Sequence, residues 1–319
     1  MSGREVIPYR IPRLGGMATG VLLLLHQGSL IGLGEAPVVV ARQASIEQLV
    51  AELRSGNPVH PAAQCAEQTA WLDITAKSQG KRLVDLLGGA RRESLSCNAL
   101  LLADSPVALA RQTREARQRG FTTFKLQSHG FPDDLERLGA VRQAASNSGQ
   151  LRLDCNGEVD LRHLVEFRPF HLELVEQPLP EGATPAEWAE LAAASGLSLA
   201  VDESLADRGQ EWANSKLTLA AKLATVGGPQ STLELLNRAQ GEVLLSSSHE
   251  TSIGIAAALA VGCALQRQPL ACGLATRQLL EADLAHGLAP EGPTLSLPHG
   301  PGLGVVLNWP MIERYRLDR

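Results

Sequence analysis

From residue 95 onward, short apolar runs alternate with helical segments, and this alternation constrains the fold more than any other feature of the sequence. Strands that alternate with helices form parallel sheets, because each helix returns the chain to the same edge. Eight runs have the length and composition of strands, at 97–101, 122–127, 151–154, 172–176, 197–202, 217–223, 243–247 and 270–273. Eight such units predict a closed, parallel β/α barrel. An open doubly wound sheet is the alternative, but the Gly-rich turn typical of that fold does not follow the first run.

Residues 1–94 have a different pattern, which predicts a separate α+β unit. Residues 4–40 are β-rich, whereas residues 45–88 are helical, with Ile46, Leu49 and Leu53 on one face. The barrel pattern then occupies residues 95–289. Residues 290–319 are rich in glycine and proline, and we interpret them as a return of the chain to the first unit.

Two helix starts inside the barrel region follow a capping pattern, in which Ser or Thr precedes Glu by three residues. Thr184 and Glu187 enclose Pro185, and proline is favoured in the first turn of a helix. Ser231 and Glu234 have the same spacing. We therefore expect helices to begin at these two places.

The composition excludes several classes of protein. A formal net charge of -5 and an aromatic content of 3% are unlike a nucleic-acid binder, which is usually basic and stacks bases on aromatic side chains. The longest apolar runs are shorter than the roughly 18 residues that a membrane-spanning helix needs. Residues 1–13 lack the apolar core of a signal peptide, and the five cysteines include no CxxC pair. We expect a cytoplasmic protein with no nucleic-acid or membrane partner.

Polar side chains end most of the predicted strands. Asp154, Glu176 and Asp202 stand at the ends of the third, fourth and fifth strands. Lysines accompany them, with Lys125 on the second strand and Lys222 on the sixth. In a β/α barrel the carboxyl ends of the strands meet at one mouth, where active sites lie. Residues that are about one β/α unit apart in the sequence therefore become neighbours in space.

The three acids indicate a metal site. Carboxylates at one mouth repel one another, on the order of several kcal/mol at a partly buried site. A bound divalent cation removes this repulsion, and ligation by oxygen alone selects a hard ion. We therefore predict that Asp154, Glu176 and Asp202 bind Mg²⁺, with Mn²⁺ as the second choice. The competing interpretation makes each acid a local cap or a surface residue.

These motifs resemble the muconate-lactonizing subgroup of the enolase superfamily. The matching barrel segments are 123–127, 153–157, 175–178, 201–204 and Lys222 followed by Gly227 and Gly228. Segment 246–254 is most similar to the seventh-strand motif of the o-succinylbenzoate synthases of that subgroup. Segments 31–36 and 300–305 resemble its capping-domain hairpin and its C-terminal return. The resemblance implies an α/β fold, a modified (β/α)7β TIM barrel at 95–289 with an N-terminal α+β capping domain at 1–94 that residues 290–319 complete.

The resemblance also implies a reaction. In the synthases, a lysine removes the proton alpha to a carboxylate that Mg²⁺ binds, and the metal stabilises the resulting enediolate. Loss of hydroxide then gives o-succinylbenzoate, on the route to menaquinone or phylloquinone. By resemblance, Lys125 and Lys222 are the catalytic residues, and Lys222 stabilises the enediolate from the opposite face of the substrate through its charge.

Five further residues are predicted to contact the substrate or to support its site. Ser246 and Ser248 are two apart on a predicted strand, hence on one face, where they can bind a carboxylate or carbonyl. Gly273, at the end of the eighth strand, lets the substrate approach the backbone closely. Asn156 is implied by the resemblance to support the metal site and its ligands. Gln127, on the second strand, is the fifth residue predicted to bind the substrate.

Gln127 is a departure from the family, because it stands where the Lys-x-Lys motif of the second strand has its second lysine, the usual base. Glutamine cannot take up a proton at neutral pH, so the expected base is absent. Strand alternation places Lys125 on the same face. Three hypotheses follow. Lys125 acts as the base, directly or through a water; Lys222 acts from the other face; or the chain is catalytically impaired.

Other activities of the subgroup are alternatives, namely N-acylamino acid racemase, dipeptide epimerase and muconate cycloisomerase. Racemases and epimerases need a base on each face of the substrate, so Gln127 counts more heavily against them than against a dehydration, which aromatisation drives. A metal-binding homologue without catalysis is the alternative outside the enzymes. The expected partner is a small-molecule carboxylate, and the expected assembly is a monomer or a small homo-oligomer.

Overall fold

The computed structural model describes residues 2–38, 44–157, 159, 161–289 and 292–318, so residues 1, 290 and 319 at the ends of the predicted units lie outside it. The strands are β1 Ser2–Arg13, β2 Gly16–Gln27, β3 Leu30–Pro37, β4 Ser94–Ser96, β5 Ala99–Leu101, β6 Thr123–Gln127, β7 Gln150–Asp154, β8 Leu172–Glu176, β9 Leu199–Val201, β10 Thr218–Ala221, β11 Val243–Leu245, β12 Ala285–His286, β13 Thr294–Ser296 and β14 Val306–Leu307. The α-helices are α1 Ile46–Ser55, α2 Pro61–Ser78, α3 Leu83–Leu86, α4 Pro106–Gln118, α5 Asp133–Ala145, α6 Pro185–Ser195, α7 Leu205–Ala213, α8 Leu223–Val226, α9 Pro229–Arg238, α10 Ser252–Ala264 and α11 Trp309–Tyr315. The described residues also form 3-10 helical segments at Leu161–Phe170 and Arg277–Leu279. No helix within the described residues has the length and apolar character that crossing a membrane would require.

The first unit is a three-stranded antiparallel sheet covered by helices. β1 and β2 form a long hairpin that ends with Arg13 opposite Gly16, and β3 pairs with the other edge of β2. Leu22 and Leu24 face the core that continues into the barrel, while Leu23 packs on the other face against α1 and α2. Both faces of β2 are therefore buried, which explains its unbroken apolar run.

Helix α2 lies very close to β3, and two glycines make this approach possible. A Cβ at Gly34 would lie 2.0 Å from the carbonyl oxygen of Ala66, and a Cβ at Gly32 would lie 2.3 Å from that of Ala70. Side-chain atoms do not approach backbone oxygens so closely, so glycine is required at both positions. The Gly-x-Gly pattern of β3 thus serves the packing of sheet on helix.

The second sheet contains seven parallel strands. Its order is β5-β6-β7-β8-β9-β10-β11, so each strand is hydrogen-bonded to the strands that precede and follow it in the sheet region of the chain. A helical segment separates each strand from the next. The parallel β/α arrangement predicted from the alternating pattern is therefore confirmed, and the second to seventh predicted strands correspond to β6–β11.

Residues 270–273 close this sheet into a barrel. On one side, the N–H groups of Leu270 and Gly273 donate to carbonyl oxygens of β11 at 2.9 and 2.8 Å. On the other side, Cys272 donates to the Ser96 carbonyl oxygen at 2.7 Å and accepts from the Asn98 N–H at 3.0 Å. The segment therefore takes the place of the eighth predicted strand, although it is too irregular to be a regular strand itself.

The first predicted strand is also shorter than expected. Only β5, the second part of segment 97–101, joins the parallel sheet. Residues 94–96 pair instead with β13 in antiparallel fashion, with Leu95 opposite Leu295. The chain therefore changes partners just before it enters the barrel.

The two predicted helix starts have different outcomes. The start at Thr184 is confirmed, because its Oγ1 accepts the Glu187 N–H at 3.3 Å and its N–H donates to Glu187 Oε2 at 2.7 Å. The prediction of a helix start at Ser231 is wrong. Helix α9 already begins at Pro229, directly after Gly228, so Ser231 lies inside its first turn.

The described part of the last segment, 292–318, contacts both the barrel and the first unit. It pairs with β4 through β13, whereas the Leu303 N–H donates to Asp73 Oδ1 of α2 at 2.7 Å and the Leu317 N–H donates to the Pro8 carbonyl oxygen of β1 at 2.8 Å. The division of the chain into domains at residues 94 and 289 stays a prediction.

Candidate active site

The barrel places polar groups directly above an apolar layer in its interior. Leu174, Ala200, Ala220 and Leu244 form this layer, which is one buried cluster. Each has a polar residue two positions later in the sequence, and side chains two apart on a strand share a face. These polar residues are Glu176, Asp202, Lys222 and Ser246. The alternation that fills the barrel therefore turns the four polar side chains toward its mouth.

Lys125 of β6 bridges two of the predicted acids. Its Nζ lies 2.8 Å from Asp154 Oδ2 and 2.6 Å from Glu176 Oε1. The two acids are adjacent because Asp154 pairs in register with Glu176 across β7 and β8. Lys125 and Glu176 are buried, while Asp154 is partly exposed at the mouth.

Lys222, which follows β10, pairs with the acids that follow β9. Its Nζ lies 2.6 Å from Asp202 Oδ2 and 3.1 Å from Glu203 Oε1. The structure thus brings the two predicted lysines and the three predicted acids to one mouth. It adds Glu203, for which the sequence had suggested no role.

Burial and charge act in opposite directions on the two lysines. Burial lowers the pKa of Lys125, but the negative charges of Asp154, Glu176 and Asp202 outweigh it and raise that pKa above its ordinary value. The pKa of Lys222 is raised well above its ordinary value in the same way, with Asp202 as the largest contributor against burial. Both ammonium groups are therefore firmly protonated when they are paired with these acids.

The two buried acids respond differently. Burial would raise the pKa of Glu176, yet the positive charge of Lys125 lowers it overall. Burial raises the pKa of Asp202 well above its usual range, in spite of the charge of Lys222. Of these two acids, Asp202 is therefore the one whose charged form burial disfavours more.

The donor set of the site suits a divalent cation. Glu176 Oε2 and Asp202 Oδ1 are buried and receive no hydrogen bond from an N–H or hydroxyl group of the described residues, and buried polar atoms normally have a partner. Carboxylate oxygens are the ligands that Mg²⁺ and Mn²⁺ prefer. Among the described residues no three acidic, histidine or cysteine side chains are grouped as a metal site, and the lysines instead bridge the carboxylates in pairs. That Asp154, Glu176 and Asp202 are ligands stays a prediction.

A cavity of about 720 Å³ opens above these groups. The predicted residues that line it are Lys125, Gln127, Asp154, Asn156, Lys222, Ser246 and Gly273. Glu176 and Asp202 are buried beneath it. The first unit contributes Arg13, Leu14 and Gly15, at the tip of its hairpin. The cavity therefore lies between the two parts of the chain and has room for a small-molecule substrate.

Ser248 differs from the prediction, because Ser246 and Ser247 line the cavity and Ser248 does not. Strand β11 ends at Leu245, so the alternation that reaches the next residue, Ser246, does not extend as far as Ser248. Ser247 Oγ donates to the Gly273 carbonyl oxygen at 3.0 Å, whereas the Ser248 N–H donates to Glu250 Oε2 at 2.6 Å. Ser248 is thus a residue of the supporting loop, and Ser247 takes its place at the cavity.

Gly273 and Asn156 contribute through their backbones. A Cβ at Gly273 would lie 3.1 Å from Ser246 Oγ, so the glycine leaves room in the cavity wall beside that serine. Asn156 has a φ of 48°, a left-handed conformation that asparagine tolerates well, and its N–H lies 3.3 Å from Asp154 Oδ1. Asn156 therefore stabilises the orientation of the Asp154 carboxylate.

Gln127 lies in the cavity wall, in register with Asp154 across β6 and β7. Its side chain is exposed at the mouth. On its own strand, the ionisable side chain on the same face is Lys125, two residues earlier. The position that holds a lysine in the family motif is therefore filled by a neutral side chain in contact with the cavity.

Gln177 is a supporting residue that sequence reasoning missed. It is 1% exposed and has a φ of 42°, which is uncommon for a residue with a side chain. Its Oε1 accepts the N–H groups of Asp202 and Ser204 at 3.1 and 3.3 Å, and its Nε2 donates to Ser204 Oγ at 2.8 Å. Gln177 therefore ties the end of β8 to the loop that carries Asp202. Its place directly after Glu176 was the available signal.

Glu35, which the sequence had not marked for a role of its own, joins the first unit to the barrel. This residue of β3 is 3% exposed and receives the N–H groups of Thr251 and Gly254, both at 2.9 Å, together with the Thr251 hydroxyl at 2.8 Å. The Tyr9 hydroxyl donates to it at 2.5 Å. Burial raises its pKa. Because Thr251 is the N-cap of α10, Glu35 closes the start of a barrel helix from the other unit.

Comparison with known proteins identifies relatives of this chain. The sequence model of the family "Enolase C-terminal domain-like" matches residues 108–311. The o-succinylbenzoate synthase of Thermobifida fusca (strain YX) is 34% identical over 219 residues, which cover 62% of this chain and 67% of the relative. The chloromuconate cycloisomerase of Pseudomonas putida is 27% identical over 292 residues, which cover 86% and 78%.

The solved structure of a muconate lactonizing enzyme has the same fold as this chain. The two superpose with a TM-score of 0.89 over 99% of each chain, at 21% sequence identity. The predicted fold class, a modified TIM barrel with an N-terminal α+β capping domain, is confirmed by this likeness.

Proposed function

Because the chain belongs to the enolase C-terminal domain-like family, we propose that it is an o-succinylbenzoate synthase. The proposed reaction is the Mg²⁺-dependent dehydration of 2-succinyl-6-hydroxy-2,4-cyclohexadiene-1-carboxylate. The observation that supports it most directly is the convergence of Lys125, Asp154, Glu176, Asp202 and Lys222 at the floor of one cavity. The seventh-strand segment 246–254, which contributes Ser246 and Ser247 to the cavity wall, agrees with the same choice.

The proposed roles follow from the chemistry of this reaction. When Asp154, Glu176 and Asp202 bind a divalent cation, its charge makes the proton next to the substrate carboxylate more acidic. To act as the base, Lys125 or Lys222 must first release its own proton, which its ion pairs with the acids oppose and a cation held by those acids would favour. Its neutral Nζ then takes the proton of the substrate. The electron pair of the broken C–H bond becomes the third double bond of the ring as the C–O bond to the 6-hydroxyl breaks. The hydroxyl leaves as water, with the proton that the lysine returns.

The remaining residues of the cavity position the substrate. The lysine that does not act as base contributes its positive charge from the other face of the ring. Ser246 offers a hydroxyl group at the wall, and Gly273 leaves space beside it. Asn156 fixes the Asp154 carboxylate through the backbone contact at 3.3 Å. These contacts are polar, as recognition of a carboxylate requires.

The neutral side chain of Gln127 favours a dehydration over a racemisation. Removal of one proton and loss of water require a base on one face of the ring only. A racemase must also return a proton from the opposite face, which requires a second base of suitable pKa. The aromatic ring formed in the dehydration supplies driving force that a racemisation lacks. Gln127 is therefore compatible with the proposed reaction.

A turnover assay tests the proposal. The purified chain is mixed with Mg²⁺ and the cyclohexadiene substrate, and formation of the aromatic product is followed. We expect turnover that EDTA abolishes and that Lys125→Ala and Lys222→Ala each reduce by about 100-fold or more. Gln127→Lys is the comparison variant. An inactive wild type beside a fast Gln127→Lys variant would show that the natural chain is impaired and would refute its activity.

Isotope exchange distinguishes the racemase alternative. In D₂O, a chain with a base on one face exchanges the alpha proton of an N-acylamino acid without inverting the carbon. Racemisation in place of dehydration would replace the proposed function by that of a racemase. Conversion of a muconate instead would identify a cycloisomerase, and Mg²⁺ binding without any turnover would identify a non-catalytic homologue.

We also propose that the protein acts in the cytoplasm on a small-molecule carboxylate. The five cysteines, all among the described residues, are buried and form no disulfide bond, which agrees with a reducing compartment. The burial of Cys65, Cys263 and Cys272 raises the pKa of each thiol to about 11 or 12, so these thiols are unreactive at neutral pH.

A further inference from the structure

The tip of the first hairpin is fixed over the barrel mouth by backbone hydrogen bonds. The Leu14 N–H donates to the Leu279 carbonyl oxygen at 2.8 Å, and the Glu281 N–H donates to the Pro12 carbonyl oxygen at 2.8 Å. Between these two bonds, Arg13 pairs with Leu280 in an isolated antiparallel bridge. The place of Arg13 is therefore determined by the barrel as well as by its own hairpin.

Arg13 lines the cavity without an acidic partner. No carboxylate of the described residues lies within 4.0 Å of its guanidinium nitrogens. Its Nη1 donates to the carbonyl oxygen of the adjacent Leu14 at 2.8 Å, and its Nε is buried and has no acceptor among the described residues. The other cations of the cavity differ, because Lys125 and Lys222 each contact two carboxylates and Arg137 pairs with an acid of its own helix. Among the described residues, Arg13 is thus the cationic side chain of the cavity whose charge is not paired with a carboxylate.

The neighbouring imidazole does not compensate or duplicate this charge. Burial, followed by the positive charges of Arg13, Lys222 and Lys125, lowers the pKa of His249 to about 4. His249 is therefore neutral at neutral pH, and its buried Nδ1 has no hydrogen-bond partner among the residues that the structure describes. At the hairpin side of the cavity, Arg13 is therefore charged at neutral pH and His249 is not.

We propose that Arg13 binds a second carboxylate of the substrate, so that the cavity selects dicarboxylates. The guanidinium fork matches a carboxylate with two parallel N–H···O bonds, and the Nε, which has no acceptor in the described part of the chain, is one of the donors available for such a pair. This inference rests on the proposed function, whose substrate carries one carboxylate on the ring and a second at the end of its succinyl chain. The ring carboxylate belongs at the floor of acids and lysines, and the succinyl carboxylate belongs at Arg13.

Paired ligands that differ in one carboxylate test the assignment. Titration calorimetry in the presence of Mg²⁺ compares o-succinylbenzoate with 2-butanoylbenzoate, in which a methyl group replaces the terminal carboxylate. We expect the wild type to bind the dicarboxylate about 30-fold more tightly, the effect of a charge-assisted pair of hydrogen bonds. Arg13→Gln should reduce this preference to about threefold or less, and Arg13→Lys should give an intermediate value.

The matched control is Arg10→Gln. Arg10 is on the same strand, and its substitution by Gln removes the same charge. Unlike Arg13, it is exposed and does not line the cavity. We expect this variant to keep the preference of the wild type. If Arg13→Gln retains that preference, or if the wild type binds both ligands equally or binds neither, the assignment is overturned. Should Arg13→Gln fail to fold by circular dichroism, the comparison of Arg13→Lys with the wild type decides by the same criterion.

Kinetics separate this assignment from the proposed function. In the dehydration assay, Arg13→Gln should raise KM about 30-fold, with a smaller change in kcat, because the contact is present in both the bound substrate and the transition state. A preference for the dicarboxylate that depends on Arg13, without turnover, leaves Arg13 as the second anchor and refutes the synthase activity. Turnover with a KM that Arg13→Gln does not change would support the synthase activity and refute Arg13 as the second anchor.

Discussion

Glu250 is a buried acid whose ionisation links the stability of this protein to pH. It is 6% exposed, it lines a small internal cavity with Glu35, and its Oε2 accepts the Ser248 N–H at 2.6 Å. Burial, followed by the negative charge of Glu35, raises the pKa of Glu250 from 4.5 to about 7. The folded protein thus binds this proton more tightly than the unfolded chain does. The resulting stability is complete below about pH 4.5 and is lost as the pH rises through 7.

The expected size of this loss follows from the two pKa values. A shift of one pKa unit corresponds to about 1.4 kcal/mol, so ionisation of Glu250 in the folded protein costs about 3 kcal/mol. Glu250→Gln keeps an oxygen acceptor for the Ser248 N–H but cannot ionise. Between about pH 5 and about pH 8, the wild type should therefore lose about 2.5 kcal/mol of unfolding free energy relative to this variant.

Urea unfolding followed by circular dichroism measures this difference. Wild type and Glu250→Gln are unfolded at both pH values, and the difference between their unfolding free energies is compared. Glu242→Gln, which alters an exposed acid, is the control and should follow the wild type at both pH values. If the unfolding free energies of wild type and Glu250→Gln change in parallel with pH, Glu250 is ionised in the folded protein as it is in the unfolded chain, and the reasoning fails.

Two further predictions concern packing and the proposed metal site. Gly34→Ala should lower the unfolding free energy by about 3 kcal/mol, because its Cβ would lie 2.0 Å from the Ala66 carbonyl oxygen. The control is Gly182→Ala, which has open space around it and should change the unfolding free energy by less than about 1 kcal/mol. Urea unfolding of both variants measures the difference. Mg²⁺ at about 100 times its Kd should stabilise the wild type by about 2.7 kcal/mol, and Asp202→Asn should lose this increment while Glu190→Gln, at an exposed acid, keeps it. Thermal unfolding with Mg²⁺ and with EDTA makes the comparison, and equal stabilisation of the Asp202→Asn variant would contradict the assignment of Asp202 as a ligand.

The parts of the fold that depend on local pattern could be predicted from the sequence. Strand alternation placed Glu176, Asp202 and Lys222 toward one mouth, and the structure shows them together because the same alternation places Leu174, Ala200 and Ala220 in the barrel interior. The capping pattern at Thr184 was correct, since nothing nearby competes with it. The same pattern at Ser231 failed because Gly228 and Pro229 start the helix earlier.

Contacts between distant segments could not be predicted in this way. Glu35 reaches Thr251 across 216 residues of sequence, and no local pattern encodes that pairing. The left-handed backbone at Gln177, which orients its amide toward Asp202, is likewise a product of tertiary packing. Ser248 was assigned to the cavity by an alternation that ends with β11, three residues earlier. In each case the competing influence is the position of a neighbouring element.

The barrel ring joins residues that are far apart along the chain, so the protection of its edge strands depends on one distant segment. The strands from β5 to β11 pair between neighbours and require only local connections. Closure requires Cys272 to reach Ser96 and Asn98, and the entropy of that long loop must be lost before these bonds form. Without these bonds the seven-stranded sheet would be open, and its edge strands β5 and β11 would lack partners on their outer sides. Residues 270–273 cover both edges at once, so that neither of these two edges is available to pair with another chain.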